Sequence, residues 1–175
     1  MIIFLNNDNL FVIVNIDEKG IDYMSMKIDT LPKYRIAYMR QVGPYGPHNV
    51  KVMEKLKSWA KKQSLFNKNS TILSIPRDNP EVITPENCRY DAGIIISTDY
   101  QIDNEVSEDT LLGGQYAIYR VKHTAEEIQK AWNIIFVELL NEGYQIDSRP
   151  MFERYYGEED DFDYCDICIP IISSR

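Results

Sequence analysis

Glu153 stands alone as an acid in a short run of apolar, aromatic and basic residues, Arg149-Pro-Met-Phe-Glu-Arg-Tyr-Tyr156. Side chains alternate along a strand, so Met151, Glu153 and Tyr155 share one face and Phe152, Arg154 and Tyr156 the other. A carboxylate on an inward face among aromatic rings has two chemical uses. It can pair with a cationic ligand whose flat apolar body stacks on the rings. It can also serve as a general acid or base. An exposed Glu153 paired with an arginine across the sheet is the structural alternative, and the pattern leaves it open.

The chain holds 12 tyrosines. Several, including Tyr38, Tyr90, Tyr116, Tyr119, Tyr155 and Tyr156, fall in or beside strand-like segments, where tyrosine is also a routine half-buried residue. Trp59 and Trp132 occupy comparable places in two helical patterns. Tyr155, Tyr116, Tyr38, Trp132 and Phe152 are the aromatic candidates around Glu153, although alternation turns Phe152 away from it. If the site is catalytic, Glu153 and Tyr155 are the residues expected to act. No nucleophile elbow, phosphate loop or dinucleotide fingerprint is present. His48 and His123 read as surface residues. Cys165 and Cys168 have the spacing of a metal or redox pair, but residues three apart on a strand point to opposite faces. With Cys88 they read as buried, reduced thiols. Nothing calls for a metal or any other cofactor.

These residues need elements to hold them, and the elements repeat. Residues 34–42 and 115–122 are strand-like, and Ala37/Ala117 and Arg40/Arg120 align. Each run leads through a short break into a helical pattern. Asn49 is the expected cap of the first helix, with Val52, Met53, Leu56, Trp59 and Ala60 on its apolar stripe. The second begins at a capping box, Thr124 to Glu127, buries Ile128, Ala131, Trp132, Ile135 and Leu139, and stops at Gly143. Strands over 70–76 and 90–97, and over 151–156 and 164–171, complete the two units. The fold class is therefore α+β: two pseudo-symmetric β-α-β-β modules forming a largely antiparallel sheet with two long helices on one face. Residues 99–113 read as an acidic connector and 157–163 as an acidic hairpin loop. Residues 1–30 stand apart as an extension holding an extra strand or hairpin, with a turn at 18–20. On this reading the sheet face without helices is the ligand surface, near the seam between modules.

Charge is uneven along the 175 residues, whose formal net charge is −8. Residues 27–68 carry ten Lys/Arg against two Asp/Glu, and residues 69–175 carry eight against 21. An acidic whole argues against direct nucleic-acid binding. The lysines of the basic stretch fit the solvated face of a helix. No apolar run approaches the roughly 20 residues that span a bilayer, and Met1-Ile-Ile-Phe-Leu lacks the basic start of a signal peptide. No membrane partner and a cytoplasmic location are the expectations.

Four ordered motifs carry a family resemblance. Tyr34-Arg-Ile-Ala-Tyr-Met-Arg-Gln-Val-Gly-Pro-Tyr-Gly46, Tyr90-Asp-Ala-Gly93, Leu112-Gly-Gly-Gln-Tyr-Ala117, and Pro150-Met-Phe-Glu-Arg-Tyr155 followed by Asp166-Ile-Cys-Ile-Pro170 resemble the GyrI-like small-molecule-binding family. The resemblance spans residues 31–172, with modules at about 31–98 and 112–172. It implies tandem strand–helix–strand–strand modules and a pocket at their seam. There an acidic residue, matching Glu153, meets aromatic or cationic ligands. It also implies three roles for a member with no DNA-binding domain legible ahead of the module. The first is binding of aromatic or cationic xenobiotics. The second is a hydrolase that opens the cyclopropane ring of DNA-alkylating natural products. The third is an interaction with DNA gyrase.

Overall fold

The computed structural model describes residues 2–5, 11–14, 25–157 and 163–173. The turn read at 18–20 and most of the acidic loop at 157–163 lie outside these residues. Strands β1 (Ile2–Leu5) and β2 (Phe11–Val14) form a separate antiparallel pair. The remaining strands form one sheet: β3 (Ser25–Leu31), β4 (Tyr34–Val42), β5 (Thr71–Pro76), β6 (Arg89–Ile96), β7 (Ser107–Leu111), β8 (Gly114–Lys122), β9 (Tyr144–Ile146), β10 (Phe152–Tyr156) and β11 (Tyr164–Ser173). Helices α1 (Pro47–Lys62) and α2 (Ala125–Asn141) follow β4 and β8.

The sheet order is β7-β4-β6-β5-β10-β11-β8-β3, with β9 added on β11. It reads as two four-strand halves meeting at β5 and β10, and every pairing is antiparallel. The register makes the symmetry a residue-by-residue relation. Tyr38 pairs with Gly93, which pairs with Leu73. In the second half Ile118 pairs with Cys168, which pairs with Phe152. Since Ala37 corresponds to Ala117, Leu73 corresponds to Phe152 and Ser74 to Glu153. The ion pairs repeat too: Arg40 binds Asp91 and Arg120 binds Asp166, each across paired strands.

Three strands were not legible beforehand. β3 and β7 are the sheet's two outer strands, pairing with β8 and β4 at equivalent places. β7 lies inside the stretch read as an acidic connector, and β3 brings residues 25–30 into the module rather than the extension. β7 is short and polar, and β3 alternates polar residues with Met26 and Ile28, as exposed edges commonly do. The three residues of β9 were also missed.

Helix α1 starts at Pro47 with Gly46 as its cap, not at the expected Asn49. Proline has no N–H and a fixed φ, and both suit the first helical turn. In α2 half of the expected capping box forms. Thr124 Oγ accepts from the Glu127 N–H at 3.2 Å, while the Glu127 carboxylate turns to Lys130. Gly143 follows α2 at φ +81, the left-handed stop.

Both sheet faces are buried. One core lies under the helices and includes Leu56, Trp59, Ile94, Ala117, Ile135 and Ile167. The other lies within the curl of the sheet, where Ile36, Leu73, Ile118, Phe152 and Cys168 are almost fully enclosed. The face without helices is thus a packed core bordered by arginine–aspartate pairs, not the open ligand surface expected from the sequence. Cys165 and Cys168 do fall in different cores.

One glycine ties the second module together. Gly114 opens β8 at φ +137, and a Cβ there would run into the Arg149 guanidinium. That guanidinium donates to the carbonyls of Gly113, Gln115 and Ile171. Gly46 has a similar φ of +139 but open space around it. Both alanine substitutions incur backbone strain of about 1–3 kcal/mol. Gly114→Ala also displaces Arg149, so its unfolding free energy from urea titration should fall below that of Gly46→Ala by a further ~1–2 kcal/mol.

Candidate functional site

Glu153 lies on the helix-side face of β10, directly opposite Ser74 of β5. Helix α1 packs on β4 and β6, and α2 packs on β8 and β9. The seam strands β5 and β10 run between the helices, and Glu153 is half-buried there. Its two oxygens have separate partners. Trp132, reaching down from α2, donates its indole N–H to Oε1 at 2.9 Å. Tyr155 donates its hydroxyl to Oε2 at 2.6 Å. Glu153 forms no ion pair with any described residue.

The surroundings are aromatic. His123 meets the Tyr155 ring edge-on at 4.8 Å, and Phe136 lies 6.0 Å from Trp132. Tyr90 donates to Ser74 Oγ at 3.1 Å, and Tyr45 meets the Tyr90 ring at 6.5 Å. Burial, reinforced by the nearby Glu153 charge, pushes the Tyr90 hydroxyl up to about 12. The same two causes hold the Tyr155 hydroxyl far above the ordinary phenol range. Burial first and Glu153 next raise the Cys165 thiol to about 12. Every hydroxyl and thiol around the carboxylate therefore stays protonated at neutral pH, a donor rather than a nucleophile.

Of the candidates read from the sequence, the structure brings Glu153, Tyr155 and Trp132 together. It places the other three on the opposite face. Tyr116 and Phe152 pack ring to ring at 5.5 Å in the inner core, and Arg149 covers Tyr116. Tyr38 lies under the Arg40 guanidinium on that same face. His123, read as a surface residue, is half-buried against Tyr155. Tyr90 and Ser74 were missed as site residues. The available signal was Ser74 itself, a lone polar residue inside Ile72-Leu-Ser-Ile75. A surface groove of about 650 Å³ lined by Met39, Lys51, Lys55 and Trp59 runs beside α1. It does not include Glu153, and its lysines offer no enclosed chemistry, so the seam is the stronger site.

The family model for the GyrI-like small molecule binding domain matches residues 24–172. The chain belongs to this family. The match begins at β3 and ends within β11, so it covers the whole sheet. Among curated proteins, this member of the GyrI-like family is 37% identical over 149 residues to the "SPbeta prophage-derived putative transcriptional regulator YosT" of Bacillus subtilis, covering 85% of this chain and 99% of that one. It is 30% identical over 155 residues to the DNA gyrase inhibitor of Salmonella typhimurium, covering 85% and 98%. Its fold resembles the EcmrR C-terminal domain, with a TM-score of 0.68 at 10% identity, covering 86% of this chain and 99% of that domain. The chain spans 60% of the EcmrR chain in its DNA complex. It also resembles SAV2435 bound to tetraphenylphosphonium, with a TM-score of 0.55 at 13% identity, covering 85% and 94%. No helix among the described residues is long and apolar enough to cross a membrane.

The tyrosines give the site a pH signature. A hydroxyl that titrates higher in the folded chain than in the unfolded one leaves stability unchanged below its unfolded value and erodes it above. For Tyr90 the loss runs from 10.0 to about 12. Tyr90→Phe should therefore flatten the decline in unfolding free energy, read from urea titrations, between about pH 10 and about pH 12, by up to about 1.4 kcal/mol per pH unit. An unchanged slope would mean that Tyr90 ionises as freely folded as unfolded.

Proposed function

We propose that this protein binds aromatic cations at the seam between its two modules, with Glu153 as the counter-charge. The observation that carries the reading is the half-buried carboxylate held between Trp132 and Tyr155, with no ion pair among the described residues. A charge withdrawn from water is costly unless it is paired. Two neutral donors fix its position but leave its charge for a ligand. The rings of Trp132 and Tyr155 supply apolar contact and π faces for the ligand body. The tetraphenylphosphonium complex of SAV2435 supports this ligand class, because that cation is aromatic and cannot donate a hydrogen bond.

Binding ranks ahead of turnover on chemical grounds. Both Glu153 oxygens already accept hydrogen bonds, one from an indole and one from a phenol that keeps its proton. That arrangement suits holding a charge in place more than passing protons to water.

The test is a titration that follows Trp132 fluorescence in a Trp59→Phe background. Glu153→Gln should weaken tetraphenylphosphonium by roughly tenfold or more, the scale of one lost charge interaction. Neutral triphenylphosphine oxide should change by less than about twofold, since it makes no ion pair. Equal affinities in wild type and variant for the cation would overturn the reading.

A second reading is a direct contact with DNA gyrase, which draws on the 30% identity to a gyrase inhibitor along nearly its full length. Purified gyrase retained on the immobilised protein, with Glu153→Gln retaining it equally well, is the outcome that favours this reading. No retention removes it.

A further inference from the structure

We infer that Ser74 is a second recognition point in the seam site, so that the preferred ligand carries a hydrogen-bond acceptor beside its cationic centre. The inference rests on the binding role proposed for Glu153 and goes on to name the ligand's second functional group.

Ser74 occupies the place in the first module that Glu153 occupies in the second. The register also sets the two residues face to face across β5 and β10. Side chains opposed in this way start about 5 Å apart at their Cβ atoms, so both border the same small volume. The module symmetry therefore puts one acid and one alcohol on either side of its axis.

The serine is not spent on structure. It is only 8% exposed, in a strand whose neighbours Ile72, Leu73 and Ile75 are core. Its oxygen accepts from the Tyr90 hydroxyl at 3.1 Å. Two hydroxyls that share a single hydrogen bond have one proton left over. With Tyr90 donating, that proton is on Ser74, and no described residue accepts it. A buried hydroxyl whose proton lacks an acceptor is destabilising. An ether, ketone or ester oxygen on the ligand would accept it. Such an oxygen gains nothing from Glu153, which can only accept. The site thus distinguishes the two groups by position: cation toward β10, acceptor toward β5.

The experiment compares two cations that differ by one atom, N-(3-methoxypropyl)quinolinium and N-pentylquinolinium. The ether oxygen of the first replaces a methylene of the second, about 5 Å from the charged nitrogen, the span of the paired positions. Dissociation constants are measured for wild type, Ser74→Ala, Tyr90→Phe and Glu153→Gln. The readout is the affinity ratio of the two ligands, which cancels losses common to both. The ratio should shift against the ether by roughly fivefold in Ser74→Ala, the scale of one net hydrogen bond. It should stay near the wild-type ratio in Tyr90→Phe, which keeps the serine proton. Glu153→Gln should weaken both ligands alike. A ratio unchanged in Ser74→Ala, or one lost in Tyr90→Phe but kept in Ser74→Ala, overturns the role of Ser74. If Glu153→Gln weakens neither ligand, the binding role itself fails instead, so the two failures are separable.

Discussion

The short ladder between β5 and β10 holds the protein together. Four paired positions, from Thr71–Tyr156 to Ser74–Glu153, join the two four-strand halves into one sheet, and both cores run across that joint. Glu153 is one end of that ladder and is paired on its other side with Ile167 of β11. Its backbone is thus held from both directions, and its carboxylate is then fixed by Trp132 and Tyr155. The residue proposed to offer the charge is also part of the joint. A site built on paired strands keeps its geometry without a ligand, which limits the ordering cost of binding.

The chain treats this acid differently from the two buried aspartates of the inner face. Asp91 is fully buried and is held by both Arg40 and Arg77. Asp166 is held by Arg120 and Arg154, and also receives the Tyr156 hydroxyl. Arg154 is the chain neighbour of Glu153, yet strand alternation turns its guanidinium to the opposite face. The two acids of the inner face are accordingly neutralised by cross-strand ion pairs, whereas Glu153 on the helix side has no ion pair among the described residues. An arginine paired with Glu153 would remove the free charge on which the proposed binding rests. Removing one partner from a buried ion pair is strongly destabilising, which separates Asp91 and Asp166 from Glu153 in what substitution would do to folding.

Much of this was legible in the sequence, and the unread part has a common cause. The strand–helix–strand–strand order followed from period-two and helical patterns, and Glu153 with Tyr155 on one face followed from alternation. Tyr116 and Tyr38 were read as neighbours of Glu153 because aromatic residues in inward positions all look alike. Which face each one takes depends on registers passed through several strands, from β10 to β11 to β8 and from β10 through β5 and β6 to β4. Sequence periodicity fixes parity within a strand and carries none of that between strands. The curl compounds the difficulty, because both faces are apolar and neither alternates cleanly with solvent. The contact of Trp132 with Glu153 depends on how deeply α2 seats, and apolar spacing does not encode that either. β7 was missed because Ser107-Glu-Asp-Thr-Leu111 has the composition of a loop, and β3 because it lies before the repeat that marked the module.

The pairing of Ser74 with Glu153 also bears on ancestry. In an assembly of two identical copies, any residue beside the twofold axis faces its own duplicate. Such a homodimer could present two acids there or none. Two carboxylates in one enclosed space repel each other and tend to share a proton, so that version would suit a doubly charged guest or an empty site. Joining the copies into a single polypeptide removes the obligation to match. Once each half could drift separately, one side could keep an acid and the other an alcohol. The asymmetric guest proposed above, one positive charge beside a polar group, matches the asymmetry that fusion permits.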